Sequence, residues 1–353
     1  MTTPAYMVRA SLAHFNSGLS CYIKVSRRYL RPLRLVLPAL ICSCCHGYIP
    51  ENDIIAVKSI QVLQDEVPIR SLDIFMFYDG EMTTLDSYQR LEGVSGWEVQ
   101  TASRKGKRKL FMLANGQWQR EDWMTINSYE SLNGFKSNLE NETSGFPSMS
   151  GECITDADGK QTVWVELRSL CSEIVLRSIS CDFTGKNYEA IEDLKAYLIN
   201  VNAECGILEE EDVMPGRIIN AGGLDFKDLE KMQEPELLFR EGEWLKSGEV
   251  LQTGFCFRCY PNNSPEESPG SPFTRLVIEG KIDGQTCYWP INVGRDGSVM
   301  TSEGVSRNHR YIYDVTITGK RSGSPDVPAG IETFDSTMEI LKWEEKEEYV
   351  ICY

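Results

Sequence analysis

Short apolar runs separated by turn signals fill the chain from about residue 54 onward, and this pattern predicts strands. In the first half, the predicted strands cover 55–63, 72–78, 97–100, 109–114, 162–167 and 173–179. Leu132, Phe135 and Leu139 recur at helical spacing, so the segment 122–142 is predicted to be the one helix of this half.

The second half repeats the pattern of short strands. Its predicted strands cover 194–201, 251–260, 273–282, 285–293 and 311–318, with a short helical stretch within 225–240. Asp283-Gly284 separates two of them and is the dipeptide of a type I′ hairpin. The proline-rich segment 261–272 is predicted to be an exposed loop. A Gly/Pro/Ser segment, 319–330, is predicted to be a flexible linker before the extended end of the chain.

Many short strands with few helices are typical of sandwiches rather than of a parallel α/β sheet. The two most apolar strands, 72–78 and 194–201, each follow another strand. The pattern therefore predicts an all-β protein of two tandem sandwiches, with the boundary near 167–172.

Composition narrows the function classes. The chain has 353 residues with 36 basic and 52 acidic side chains, a net charge of −16. A length of this size suits two domains. Nucleic-acid-binding domains normally carry a basic surface, so the charge argues against a nucleic-acid partner.

The first 43 residues differ from the rest, because they contain six basic and no acidic residues. A basic run, a short apolar run over 35–41 and a small residue follow the order of a secretory signal peptide. Ile41-Cys42-Ser43-Cys44 has the form of a bacterial lipobox, which makes Cys44 the expected lipidated residue. The alternative is a buried apolar segment with incidental cysteines. A start at Val25 gives a signal of ordinary length, so residues 1–24 are expected to precede the true start.

No arrangement of residues predicts catalysis, a cofactor or a metal site. His309 lies where a predicted strand begins, and we expect it to be an exposed histidine in a turn. Cys256 and Cys259 form a C-x-x-C inside a predicted strand, where residues three apart point to opposite faces and cannot easily chelate. We therefore expect a protein that is not an enzyme.

The carboxyl end combines an extended pattern with unusual apolar content after the linker. Its apolar residues are Met338, Ile340, Leu341, Trp343, Tyr349, Ile351 and Tyr353. A strand of this kind can pair with its own sheet or with that of a neighbour. The pattern alone leaves both options open.

The chain resembles the fimbrillins of Bacteroides-type bacteria, the subunits of type V pili. The matching segments, in order, are 41–44, 72–80, 107–116, 168–176, 195–201, 304–315 and 343–349. The resemblance implies two transthyretin-like β-sandwich domains, expected here over 44–167 and 168–353, with a donor strand at 337–353. It also implies an outer-membrane lipoprotein precursor that a trypsin-like protease cuts after a basic residue. Loss of the first strand then opens an apolar groove, which the terminal strand of another fimbrillin subunit fills in a homo- or heteropolymer of the fimbrium.

Arg70 is the expected cleavage residue, because it follows a polar, proline-containing stretch and precedes the apolar strand at Leu72. Lys58 lies within the strand that would be released and is expected to be protected. The alternative for Arg70 is an ordinary surface arginine. Anchor subunits of the family keep their lipid and are not cut, so the role of the chain and this site are linked.

Two function hypotheses remain from different classes. A structural pilin that also contributes to adhesion predicts that 338–353 is dispensable for folding and required for assembly. A monomeric surface lipoprotein, or an anchor or tip subunit, predicts binding of a glycan or host protein through aromatics such as Trp97, Trp118 and Trp123. A secreted hydrolase is disfavoured, because no nucleophile and base can be named.

Overall fold

The structure is a computed structural model that describes residues 6–10, 21–25, 54–58, 68–94, 99–156, 163–209, 213–295, 304–320, 323–327 and 334–342. Its strands are β1 (Tyr6–Ala10), β2 (Cys21–Val25), β3 (Ile54–Lys58), β4 (Ile69–Tyr78), β5 (Leu85–Val94), β6 (Gln100–Arg104), β7 (Lys107–Ala114), β8 (Lys136–Asn138), β9 (Met149–Asp156), β10 (Arg168–Ser169), β11 (Ser172–Cys181), β12 (Ala190–Ile199), β13 (Val201–Asn202), β14 (Glu204–Gly206), β15 (Ile218–Ile219), β16 (Phe239–Glu241), β17 (Leu245–Lys246), β18 (Val250–Cys259), β19 (Arg275–Ile282), β20 (Gln285–Asn292), β21 (His309–Ile317) and β22 (Phe334–Lys342). The helices are α1 (Phe226–Leu229) and the 3₁₀ segments Arg120–Thr125, Tyr129–Gly134, Leu139–Asn141 and Pro235–Leu237. The expected all-β class with few short helices is confirmed.

The chain divides into two compact units. The first comprises Met1–Ala114, Arg120–Ser131 and Gly151–Leu167, and the second comprises Asn115–Gln119, Leu132–Ser150 and Arg168–Tyr353. The chain passes from the first unit to the second between Leu167 and Arg168, in the region where the sequence predicts a domain boundary. Two earlier segments of the chain also belong to the second unit.

The first unit is built around β4, whose residues from Ser71 to Phe77 are all buried. β4 lies between β5 and β7 in an antiparallel sheet that continues to β9, while β3 pairs with β6 in a separate two-stranded sheet. Phe75 and Phe77 point to one face of β4. Their rings lie 5.2 Å from Trp123 and 5.7 Å from Tyr129, so the two 3₁₀ segments cover that face.

The single helix predicted over 122–142 is wrong. The chain forms three short 3₁₀ segments and the strand β8 there. Two backbone interactions with other parts of the chain explain the break: the Leu85 N–H donates to the Asn127 carbonyl at 2.8 Å, and β8 pairs with β14. Leu132 and Leu139 are nevertheless buried, so the apolar spacing identified core residues but not their element.

The strand predicted over 162–167 is also absent from the described residues 163–167. Val165 and Leu167 are buried and Trp164 is exposed, which is the alternation that the sequence shows. A Cβ added to Gly151 would lie 2.0 Å from the Glu166 carbonyl oxygen, so this segment passes β9 at close range. The predicted alternation of buried and exposed side chains is correct, but residues 163–167 do not form a strand.

The second unit is a sandwich of two sheets. One has the order β18-β11-β21-β22 and the other β16-β12-β19-β20. Tyr311, Tyr313, Val315 and Ile317 are buried at every second position of β21. The Gly294 N–H, just beyond β20, donates to the Tyr313 hydroxyl at 3.2 Å, so these inward side chains meet the facing sheet.

The hairpin predicted at Asp283-Gly284 is confirmed. Both residues have positive φ, 50° and 74°, as a type I′ turn requires. β19 and β20 pair on either side of it over eight residue pairs.

The loop at 261–272 is not uniformly exposed, which corrects the prediction. Asn262, Ser264 and Ser271 are buried. The Asn262 side-chain amide donates to the Pro272 carbonyl at 2.9 Å, so the two ends of the loop are held together and its middle faces solvent.

Within the predicted signal peptide, β1 and β2 form an antiparallel pair. Cys44 lies outside the described residues. Among the described residues, no helix has the length and apolar character needed to cross a membrane.

Candidate functional site

The carboxyl-terminal strand β22 is an edge strand of its own sheet. It pairs antiparallel with β21 over nine residue pairs, from Phe334 opposite Ile317 to Lys342 opposite His309. Met338, Ile340 and Leu341 of the predicted donor segment lie in this strand, and the structure places them in the chain's own sheet. Trp343, Tyr349, Ile351 and Tyr353 lie outside the described residues.

The inward face of β22 is only partly covered. Met338 is half-buried, and its sulfur accepts a hydrogen bond from the Tyr313 hydroxyl at 3.1 Å. Ile340 lies opposite Tyr311 in the register, yet Ile340 is 46% exposed and Tyr311 only 2%. The sandwich interior therefore ends at β21, and β22 presents apolar surface to solvent at the sheet edge.

Ionic contacts cross the outward face of the same sheet. Arg177 of β11 donates from Nε to Asp314 of β21 at 3.1 Å, and its Nη1 lies 3.7 Å from a carboxylate oxygen of Glu339 on β22. The hydrogen bonds from Arg177 lower the pKa of Asp314 and raise the pKa of Arg177. These ionic contacts connect β22 to β21 and β11.

A second set of charges lies at the other end of that face. The buried carboxylate of Glu173 accepts from Arg258 at 3.0 Å and from Arg310 at 2.6 Å. Arg258 also donates to the carbonyls of Thr143 and Ser144, at 3.1 and 3.0 Å. These contacts hold an earlier segment of the chain onto the second unit, so we assign them a structural role.

Arg70, the predicted cleavage residue, is the second residue of β4. Its side chain is exposed. Its neighbours Ile69 and Ser71 pair with Val94 and Glu92 of β5. Arg70 thus lies inside the strand rather than before it, because β4 begins at Ile69, three residues earlier than the apolar run indicates.

The strand that cleavage at Arg70 would release is β3. It pairs antiparallel with β6, and Lys58 is its last residue, opposite Gln100. The sequence predicts a strand over 55–63, and residues 59–63 lie outside the described part of the chain.

The aromatic side chains expected to contact a glycan or protein are not a surface cluster. Trp123 is 3% exposed and packs on Phe75 in the core, which corrects its expected contact role. Trp118 is half-buried against Phe135, and Trp97 lies outside the described residues. Among the described residues, the exposed tryptophans are Trp164 and Trp244, which no sequence signal distinguishes.

Cys256 and Cys259 of the C-x-x-C both lie in β18, as the sequence predicts. Cys259 is buried and Cys256 half-buried, and both thiols are free. Burial raises the pKa of Cys256 to about 11, which keeps it protonated at neutral pH. In the described part of the chain, no group of three or more His, Cys, Asp or Glu side chains is arranged to hold a metal ion.

Two described parts of the segment joining β21 to β22, residues 319–320 and 323–327, are docked, contrary to the flexible linker expected at 319–330. We call residues 319–320 and 323–327 together the strap. Near its start, the Trp289 indole N–H donates to the Gly319 carbonyl at 3.1 Å, and the Lys320 ammonium lies 2.7 Å from Asp283. At its end, Asp326 accepts from the side chains of Asn200, at 2.6 Å, and Arg275.

Composition could not reveal this docking. Gly, Pro and Ser mark a loop but carry no information about what the loop rests on. Arg275 is 1% exposed, although nothing in its sequence position distinguishes it from a surface arginine. Its burial beside two acidic partners, Glu267 and Asp326, depends on the fold.

No family model matches the chain, and no curated protein matches it. Solved structures do share its fold. A candidate cell adhesion protein of Bacteroides eggerthii superposes with a TM-score of 0.63 at 17% identity, over 82% of this chain and 96% of that protein. A fimbrilin, FimA, of Porphyromonas gingivalis W83 gives a TM-score of 0.57 at 16% identity, over 82% and 96%.

A third structure is the tip fimbrial protein Mfa3 of Porphyromonas gingivalis with a C-terminal truncation. It superposes with a TM-score of 0.51 at 11% identity, over 82% of this chain and 100% of that protein. The similarity spans both units of the chain in all three cases. The chain therefore has a Bacteroides-type fimbrillin-like fold, as the sequence resemblance predicts.

Proposed function

We propose that the chain is a structural pilus subunit that contributes to adhesion. It is made as a lipoprotein precursor and polymerises with other fimbrillin subunits by protease-triggered strand exchange. The observation that supports this is a fimbrillin-like fold ending in an edge strand with Ile340 46% exposed. Eleven further residues, 343–353, follow that strand and include four of the apolar residues expected to donate.

An edge strand favours assembly because it carries backbone donors and acceptors with no partner on its outer side. A second strand can pair there through backbone bonds, while apolar side chains at alternate positions give the fit. Apolar surface costs roughly 25 cal/mol per Å² when exposed to water, which favours filling such a face.

Lipidation at Cys44 would hold the precursor on the outer membrane without a spanning helix. A cut after Arg70 by a trypsin-like protease would then release residues 44–70, including β3 and the lipid. Removing β3 exposes β6, its partner strand in the first unit. The opened edge is the acceptor that this proposal requires.

The test uses a Cys44→Ser precursor that begins at residue 44, treated with limiting trypsin. A new amino terminus at Ser71 and a ladder of polymer sizes are expected. The variant Arg70→Gln should abolish both, whereas Arg120→Gln, at another exposed arginine, should not. Deleting 343–353 removes the donor residues beyond β22 but leaves β22 in place. The cut at Arg70 should therefore remain, while the ladder of polymer sizes should be lost.

A precursor that resists cutting at Arg70 and stays monomeric would overturn the proposal. That result would favour the alternative, an anchor or tip subunit or a surface lipoprotein that binds a glycan or host protein. Saturable binding by the uncut monomer would then be the measurement to make.

A further inference from the structure

The strap holds the chain in place six residues before β22 begins. Its two described ends lie against different parts of the sheet formed by β12, β19 and β20. Lys320 reaches Asp283 in the β19–β20 turn, and the Lys320 backbone N–H donates to the Tyr188 hydroxyl at 3.1 Å. Asp326 reaches Arg275, the first residue of β19. One part of the strap therefore lies at the turn of the hairpin and the other at its open end.

The contacts at Asp326 are the better shielded of the two sets. Arg275 is 1% exposed and also donates to the side chain of Asn292 at 2.9 Å, so its guanidinium is fixed in direction. The Asn200 side chain is fixed as well, because its oxygen accepts from the Gly222 N–H at 2.8 Å. Two oriented donors thus converge on one carboxylate, which favours a single docked position for the strap.

We propose that the strap is a retention clasp, which keeps β22 in its own sheet so that only the segment beyond Lys342 is free to exchange. This inference rests on the proposed function and narrows it. The donor segment expected at 337–353 then starts after β22. Exchange of β22 itself requires the strap to leave its site first.

Chain length supports the clasp. From Val327 to Phe334 the chain has seven steps, which span at most about 25 Å. From Ile317, with the strap detached, seventeen steps span at most about 60 Å. Nine residues of β22 are themselves about 30 Å long. A docked strap therefore restricts Phe334, the first residue of β22, to a radius shorter than the length of the strand.

The same count gives a measurable effect on opening. Six residues separate Val327 from Phe334, and sixteen separate Ile317 from Phe334. Loop-closure probability falls as the three-halves power of loop length, so freeing the strap lowers the probability of β22 re-pairing about fourfold. Amide exchange by local opening should rise by the same factor.

The test is native-state amide hydrogen exchange on the uncut Cys44→Ser monomer. Inserting ten Gly/Ser residues after Gly330 lengthens the tether from six to sixteen residues without touching the strap. Exchange of the β22 amides should rise about fourfold, while exchange at 323–327 stays unchanged. Because the monomer is measured, the outcome is independent of whether the protein polymerises.

A second variant removes both charged anchors, Lys320→Gln with Asp326→Asn. Exchange at 323–327 and in β22 should rise together. The matched control is Asp193→Asn, which breaks an exposed ion pair with Lys281 in the same sheet and should change neither. Asparagine suits the positive φ of 49° at that position.

Two results would overturn the clasp. The first is that the insertion leaves amide exchange in β22 unchanged. This includes the case in which the β22 amides exchange only by global unfolding. The other is a double variant whose strap amides lose protection while those of β22 keep theirs.

Discussion

At the residue scale, Asp73 is a buried carboxylate of the first unit whose ion pair should contribute to stability. It is fully buried on β4, lies 2.9 Å from Arg90 of β5, and accepts a hydrogen bond from the Tyr88 hydroxyl at 2.7 Å. Burial raises the pKa of Asp73 against these lowering contacts. We expect Asp73→Ala to destabilise the protein by about 3–5 kcal/mol, because it leaves the Arg90 charge in a largely buried site without this carboxylate. Urea unfolding measures the change.

The matched control is Glu92→Gln. Glu92 also pairs with Arg90, at 2.6 Å, but its side chain is 63% exposed. An exposed pair contributes about 0–1 kcal/mol, so this variant should unfold near the wild-type midpoint. Equal losses in the two variants would contradict the assignment of the buried carboxylate as the dominant partner.

At the scale of elements, the β19–β20 hairpin shows where local chemistry decides structure. Gly284 has φ 74°, a conformation that a residue with a Cβ adopts only with strain. Gly284→Ala is expected to cost about 1 kcal/mol, even though the added Cβ meets no atom within 4 Å. Gly270→Ala is the control, since its site is also open and its φ is not positive. Thermal unfolding that shifts equally in both variants would show that space, not backbone conformation, sets the cost.

This hairpin could be predicted from sequence because two adjacent residues determine its turn. The region 122–142 could not, because 3₁₀ segments and a helix can share the same apolar spacing and the choice depends on partners far along the chain. β8 pairs with β14, which lies more than sixty residues later. The docking of the strap could not be predicted for the same reason, since its partners Asn200 and Arg275 are distant in sequence.

At the scale of the whole molecule, the sequence indicated two β-sandwiches but not how the chain passes between the units. The second unit takes up residues 132–150 as well as the chain from Arg168 onward. A buried carboxylate shows how firmly the earlier segment is held. Glu142 is 1% exposed and accepts from the Tyr260 hydroxyl at 2.8 Å and from the Ser148 N–H at 3.0 Å. Such a contact has no sequence signature.

This arrangement predicts that a fragment starting at the expected boundary is incomplete. Residues 168–353 lack β8 and Glu142, so the buried Tyr260 hydroxyl loses its acceptor. Arg258 keeps Glu173 but loses the carbonyls of Thr143 and Ser144. We expect fragment 168–353 to show no cooperative unfolding transition and fragment 132–353 to show one, measured by circular dichroism in urea. A buried hydroxyl deprived of its hydrogen-bond partner costs about 1–3 kcal/mol, and the lost pairing of β8 with β14 adds to this, against a typical domain's 5–15 kcal/mol. Matching cooperative transitions in both fragments would show that the second unit folds without the earlier segment.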